Sequence, residues 1–188
     1  MKKSLLICLA IVAVLAIWGV GAYNKLVKGE ETVNNAWAQV ETAYQRRADL
    51  IPNLVATVKG YAAHESETLE NVLRARGYGN NTVPTEDNVA AIQQQESEIS
   101  SALNRLLVVV EAYPDLKANE NFKDLQAQLE GTENRISVAR NNYNDAAKTW
   151  NTQVRSFPSN IIAGIFGFEK KGYFQADEAA ASAPVVAF

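Results

Sequence analysis

An uncharged apolar run at the N-terminus constrains this chain more than any other feature. From Leu5 to Ala22 the sequence reads Leu-Leu-Ile-Cys-Leu-Ala-Ile-Val-Ala-Val-Leu-Ala-Ile-Trp-Gly-Val-Gly-Ala. As a helix it reaches about 27 Å, enough to cross the hydrocarbon core of a bilayer. Lys2 and Lys3 precede it, and Trp18 and Tyr23 mark its far end, where aromatic rings favour the headgroup layer. The expectation is a transmembrane anchor over residues 1–22, with a cytoplasmic N-terminus and the body on the periplasmic or extracellular side. Lys25 and Lys28 weaken this charge bias. Cleavage at Val20-Gly21-Ala22, as in a signal peptide, is the competing reading. A helical pattern begins at once, with no Pro or Gly cluster between Tyr23 and Val33, and this favours the anchor. Cys8 follows Ile7 rather than a small residue, so it reads as a small apolar side chain in lipid rather than a lipoprotein cysteine.

All 21 acids lie after residue 22, whereas Lys2 and Lys3 lie before the run, so the body is more acidic than the net charge of -3 suggests. A nucleic-acid surface is disfavoured by that balance. One His and one Cys among 188 residues exclude disulfide frameworks and clustered His/Cys metal sites by count. Ten glycines and five prolines are few for a many-turned β-fold.

From Val33 onward the apolar residues recur at alternating spacings of four and three: Val33, Trp37, Val40 and Tyr44, then Arg47, Ile51, Leu54, Val58 and Tyr61. That period makes one buried helix face. It passes Pro52 without a slip, so the pattern predicts one long helix kinked at Pro52 and running to Leu73–Arg76, with a break at Pro52 as the alternative. Gly77 to Pro84 is the clearest loop. A second helix, with Thr85 as its N-cap, has a seam of Val89, Ile92, Glu96, Ile99, Leu103, Leu106 and Val110. It stops at Tyr113-Pro114. A third follows the connector Asp115 to Asn119 and carries Phe122, Leu125, Leu129, Thr132, Ile136, Ala139, Tyr143, Ala146 and Trp150. Short connectors between such helices imply antiparallel neighbours. The fold class is therefore all-α, an elongated up-and-down helical bundle behind one N-terminal transmembrane helix.

No catalytic constellation emerges. His64-Glu65 lacks a second His four residues on, where Thr68 stands, and lacks a Glu three residues before, where Tyr61 stands. There is no Gly-rich phosphate loop, and no Ser-Lys pair is marked. No cofactor, metal or enzymatic activity is expected. The polar residues on or beside the seams are more informative: Arg47 and Glu96 within them, and Arg46, Asp49, Glu111, Glu130, Glu133, Arg135 and Arg140 beside them. Charges between helices need partners, so Arg47, Asp49, Glu111, Glu133, Arg135 and Arg140 are expected to form an inter-helix network that fixes register, with a ligand site as the second reading. Gly131 in mid-helix costs about 1 kcal/mol against Ala and suggests close approach of a neighbouring backbone.

Two specific blocks, Arg46-Arg47-Ala48-Asp49-Leu50-Ile51-Pro52-Asn53-Leu54-Val55 and Val110-Glu111-Ala112-Tyr113-Pro114-Asp115-Leu116-Lys117-Ala118, carry a resemblance, as does Leu129-Glu130-Gly131-Thr132-Glu133-Asn134-Arg135-Ile136. With Tyr143-Asn144-Asp145 and the closing Ala183-Pro184-Val185-Val186-Ala187-Phe188, the chain resembles the LemA family of bacterial membrane proteins over nearly its whole length; the loop from Gly77 to Pro84 departs from it. The resemblance implies one transmembrane helix and an up-and-down four-helix domain, and supplies no reaction.

The chain then divides into an anchor (1–22), a LemA-like bundle (23–168) and a C-terminal tail (169–188). A short piece, Ser159 to Phe168, reads as a cap over the bundle end, with a membrane-interface segment as its alternative. If the chain reverses at Pro52 that piece returns to the bilayer; if it only kinks, the piece lies far from lipid. The end of the tail, with Val186 and Phe188 alternating, suits strand addition to a PDZ-type domain; docking on its own bundle is the competing reading. The partners expected are thus the membrane, an envelope protein that could read the tail, and a second copy of the chain. The role expected is that of an interaction or scaffold component.

Overall fold

A computed structural model describes residues 2–76 and 83–175. Among these residues the architecture is all-helical: α1 (Lys2–Lys59), α2 (Ser66–Ala75), α3 (Val89–Val110), α4 (Pro114–Ala118), α5 (Glu120–Arg155) and α6 (Ser159–Phe166). No strand is present among them, only an isolated antiparallel bridge between Thr85 and Lys171.

The 58 residues of α1 run without interruption from the apolar segment into the body, about 87 Å at the standard rise. Its first part is long and apolar enough to cross a membrane, with Leu5, Ile11 and Ile17 exposed on it. Burial begins at Leu26 and continues through Val33, Trp37, Val40, Arg47, Ile51, Leu54 and Val58, which is the expected stripe. The helix passes through Pro52, as the periodicity predicts.

It does not continue to Arg76. The chain reverses at Gly60–Glu65, where the Tyr61 and Ala62 N–H groups both donate to the Val58 carbonyl. Ala62 is buried at the bend, and Leu69 and Val72 then join Ile51, Val58, Ile99 and Leu106 in one core cluster. The heptad spacing runs from Val58 through Ala62 to Leu69 and Val72 without a slip, so the turn leaves no mark on the period. The reversal is fastened from the opposite connector: the Tyr113 hydroxyl donates to Glu65 Oε1 at 3.2 Å, and Asn119 Nδ2 donates to the Tyr61 hydroxyl at 2.9 Å. Tyr61, expected on the buried stripe, is 44% exposed because the helix has ended before it.

The body of α1, with α2, α3 and α5, makes four long elements that alternate in direction. Thr85 and Asn88 exchange backbone-to-side-chain hydrogen bonds just before α3, and the Asn119 side chain caps α5 by accepting from the Phe122 N–H at 3.0 Å. Two hydrophobic clusters result. The one nearer the apolar segment holds Leu26, Trp37, Val40, Ile92, Tyr143 and Trp150; the distal one holds Ile51, Leu54, Val58, Leu106, Phe122 and Leu129.

Because α5 returns toward the apolar segment, α6 packs beside its last turn. The Tyr23 ring lies 4.8 Å from that of Phe166 and 5.8 Å from that of Phe168, centroid to centroid. Continuity through Pro52 is expected to carry Ser159–Phe168 to the end of the body away from the apolar segment; the reversal at Gly60–Glu65 instead brings it back beside Tyr23. Gly131 is a second correction. A Cβ there meets nothing within 4 Å, so no backbone approaches it. Among the described helix glycines the tight position is Gly29, and its neighbours are side chains: a Cβ there would lie 2.6 Å from Gln153 Oε1 and 3.0 Å from the Trp150 ring.

Candidate functional site

Between the two hydrophobic clusters lies a polar layer built from α1, α3 and α5. Arg47 follows Val40 and Tyr44 on α1, Glu96 follows Ile92 on α3, and Glu133 and Arg140 flank Ile136 on α5. The Arg47 side chain is 2% exposed. Its Nη2 donates to Glu96 Oε2 and its Nη1 to Glu133 Oε1 at 3.1 Å. Arg140 Nη2 donates to the same Glu96 oxygen at 3.3 Å, and its Nε to the Tyr44 hydroxyl at 2.9 Å. Both guanidinium groups lie over the Tyr44 ring, at 5.4 and 5.5 Å from its centroid. Two cations and two carboxylates thus balance in one layer, and the least exposed charges are fully paired.

Burial first, then the Glu96 carboxylate, pushes the Tyr44 hydroxyl up from 10.0 to about 12, against the pull of Arg140 and Arg47. Burial alone would lower Arg47, but Glu96 and Glu133 outweigh it and hold the guanidinium above its ordinary value. Neither group supplies an acid or base near neutrality.

One side of this layer opens into a groove of about 980 Å³ between α3 and α5, lined by Arg47, Glu96, Glu133, Arg140 and Asn144 among others. Its end toward the apolar segment is closed by residues 168–175, an extended strap lying on α5. Two asparagines seven positions apart hold the strap. Asn144 Nδ2 donates to the Phe174 carbonyl at 2.9 Å while its Oδ1 accepts from the Phe174 N–H at 3.0 Å. Asn151 does the same to Lys171, at 2.8 Å in both directions. The Trp150 indole N–H donates to the Glu169 carbonyl at 2.8 Å, and the Tyr143 hydroxyl sits 3.0 Å and 3.1 Å from the Pro84 and Gly172 carbonyls. Phe174 stacks on Trp37 with ring centroids 6.1 Å apart, and the Arg140 guanidinium lies 5.1 Å from its centroid. The strap therefore reaches the polar layer directly.

Of the residues singled out in the sequence, the structure brings Arg47, Glu133 and Arg140 together around Glu96. It places the other three elsewhere. Asp49 is exposed and accepts from Gln45 Nε2 of its own helix at 2.8 Å. Glu111 is exposed beyond α3 and pairs with Lys117. Arg135 lies on the exposed face of α5. Val186 and Phe188 fall outside the described residues, as do 77–82 of the expected loop. Tyr44, Asn144, Asn151 and the strap were not read as a site. The available signal was the pair of asparagines one heptad apart on α5, each beside a buried aromatic, Tyr143 and Trp150. Among the described residues no three His, Cys, Asp or Glu side chains group as metal ligands.

The chain is similar in sequence to several known proteins. Magnetosome protein MamQ 2 of Paramagnetospirillum magneticum is 28% identical over 209 residues, covering 99% of this chain and 75% of the relative. Protein LemA of Metamycoplasma hominis is 27% identical over 159 residues, covering 85% and 71%. Magnetosome protein MamQ of Magnetospirillum gryphiswaldense is 25% identical over 187 residues, covering 87% and 68%. None of these names carries an enzymatic activity. The model of the LemA family matches residues 36–188, which takes in the bundle, the polar layer and the strap. The chain belongs to the LemA family, as a membrane-associated protein of the LemA type.

Proposed function

We propose that this protein is a single-pass envelope component whose N-terminal helix anchors it, N-terminus cytoplasmic, and whose bundle acts on the periplasmic or extracellular side as an interaction or scaffold module without catalytic activity of its own. The observation that carries the reading is the unbroken α1, which joins the apolar segment to the bundle with no linker. A rigid junction holds a binding surface at a fixed height over the bilayer, which suits assembly better than capture of diffusing substrates. The mutual pairing of Arg47, Glu96, Glu133 and Arg140 supports it further, because it engages the charged groups of the layer with one another. Two of the relatives above are named as magnetosome proteins, and a part in a larger assembly is proposed here for this chain. In this reading Val186 and Phe188 recruit a partner, a PDZ-type domain being the fitting class, and copies of the chain can associate with one another.

A second reading is favoured by one observation, the groove of about 980 Å³ beside Arg47, Glu133 and Arg140, which could take a small polar ligand. Proximity crosslinking in intact cells separates the two. A recurring set of envelope proteins, with a subset lost on deleting Ala187-Phe188, is expected for the module. Absence of any recurring protein partner, together with small molecules retained through purification, would favour the ligand reading.

A further inference from the structure

A helix that is apolar on every side is stable only where every side is covered. In α6, Ile161, Ile162, Ala163, Ile165 and Phe166 leave no polar face beyond Ser159 and Asn160. One side is covered from within the chain: Ala163 is buried, and Ile162 Cδ1 lies 4.0 Å from where a Cβ on Gly19 of the apolar run would stand. The other side is open. Phe157 is 80% exposed, Ile165 70% and Phe166 59%. The segment meets the apolar run of α1 at its far end, where the Phe166 ring lies 4.8 Å from that of Tyr23 and Ile162 stands against Gly19, and Ile17 and Val20 are exposed on α1 beside these contacts in sequence.

The backbone explains why the segment stays there. Gly167, at φ 72°, ends α6 in the left-handed conformation, and the Phe168 N–H donates to the Ala163 carbonyl at 3.0 Å. The chain then turns back up the bundle, held by Glu169 on Trp150 and by the Lys171–Glu30 ion pair at 3.3 Å. The segment thus forms a loop dipping toward the apolar run, fastened at both sides, with its apolar residues at the tip.

We propose that Phe157, Ile161, Ile165 and Phe166 insert into the headgroup and acyl boundary of the phospholipid leaflet next to the bundle, as a second membrane contact beside the span. This rests on the anchored reading above, since that leaflet is reached only if α1 crosses the bilayer. Phospholipid is the occupant because the segment meets the apolar run that the span presents to lipid at the point where that run ends. Two contacts at different points fix the tilt of the bundle, which a lone span leaves free to vary.

The test uses the full-length chain with Cys8→Ala, reconstituted in vesicles of phosphatidylethanolamine and phosphatidylglycerol. Spin labels are placed singly by Ile165→Cys, Phe166→Cys, Ile11→Cys and Ser101→Cys, and collision with oxygen is compared with collision with a water-soluble nickel chelate. The expected result is that Ile11, Ile165 and Phe166 are open to oxygen and shielded from nickel, with Ile11 deepest, while Ser101 is open to nickel. Nickel access at Ile165 and Phe166 equal to that at Ser101, with Ile11 shielded, overturns the inference and leaves the anchor standing. Shielding of both positions from oxygen and nickel alike also overturns it, in favour of cover by a second copy. Nickel access at Ile11 overturns the anchored reading and this inference together.

Discussion

Arg47 of α1 and Glu96 of α3 pair inside the bundle, 49 positions apart in sequence, with side chains 2% and 7% exposed. Their layer separates two hydrophobic clusters and meets a strap that returns from the end of α5. This pair therefore reports on the register of α1 against α3, while Glu133 and Arg140 tie α5 to the same layer. A shift of α1 or α3 by one turn would set Arg47 against Ile92 or Ile99 and leave a charge unpaired in an apolar core. Register is the property such a buried pair is best suited to specify.

Removing one partner is expected to cost more than removing both. Arg47→Ala leaves Glu96 buried with Arg140 as its remaining cation, and a loss of about 3–5 kcal/mol is expected in chemical denaturation of the full chain in detergent. The double variant Arg47→Met with Glu96→Leu removes both charges and is expected to lose less stability than either Arg47→Met or Glu96→Leu alone.

Alkaline pH is expected to weaken the fold through Tyr44. Its hydroxyl is held at about 12 in the folded bundle against 10.0 when unfolded, chiefly by burial and then by Glu96. The unfolded chain therefore releases this proton first as pH rises. The stabilisation is complete below pH 10 and is lost progressively between 10 and about 12. Denaturation midpoints across that window should fall, and Tyr44→Phe should flatten the fall. Tyr143, also raised by burial and then by Tyr173, adds to the slope in the same direction.

Two glycines are expected to respond in opposite ways to the same substitution. A Cβ on Gly172 would stand 2.3 Å from the Thr85 carbonyl oxygen and 2.8 Å from the Val89 side chain, so Gly172→Ala should loosen the strap. Trypsin cleavage after Lys170 and Lys171 should quicken in that variant. Gly131→Ala meets open space in a helix interior and should stabilise the bundle by about 0.5–1 kcal/mol.

The strap is also expected to depend on the two asparagines. Asn144→Ala removes both hydrogen bonds to Phe174 and should cost about 2 kcal/mol, with faster amide exchange at Phe174. Asn144→Asp keeps the acceptor for the Phe174 N–H and turns its donor into a second acceptor facing the Phe174 carbonyl. It should therefore recover little of the loss.

The helical class was legible because Val33, Trp37, Val40 and their successors repeat at a period that only a helix satisfies. The turn at Gly60–Glu65 was not, because a reversal that preserves the heptad phase is invisible to a period. It is held by Tyr113 and Asn119, which lie some 50 residues away in the chain. Arg47, Glu133 and Arg140 were legible as charges on or beside seams. Asp49 and Arg135 had the same appearance yet point outward, since a position one step off a seam can face either way. The strap escaped because the hydrogen bonds from Asn144, Asn151, Tyr143 and Trp150 run to its backbone groups, and its one buried large side chain, Phe174, makes no period. Gly131 misled for a related reason: glycine in a helix signals freedom from a Cβ clash without requiring a neighbour.

In the proposed arrangement α1 crosses the membrane intact and carries the bundle on the far side. Labelling with a membrane-impermeant maleimide in spheroplasts, on Cys8→Ala chains carrying either Ser4→Cys or Ser101→Cys, decides it. Ser101→Cys is expected to be labelled in intact spheroplasts and Ser4→Cys only after permeabilisation, with residues 1–22 kept in both chains. Labelling of Ser4→Cys in intact spheroplasts, protection of Ser101→Cys, or a mature chain lacking the apolar run would contradict it.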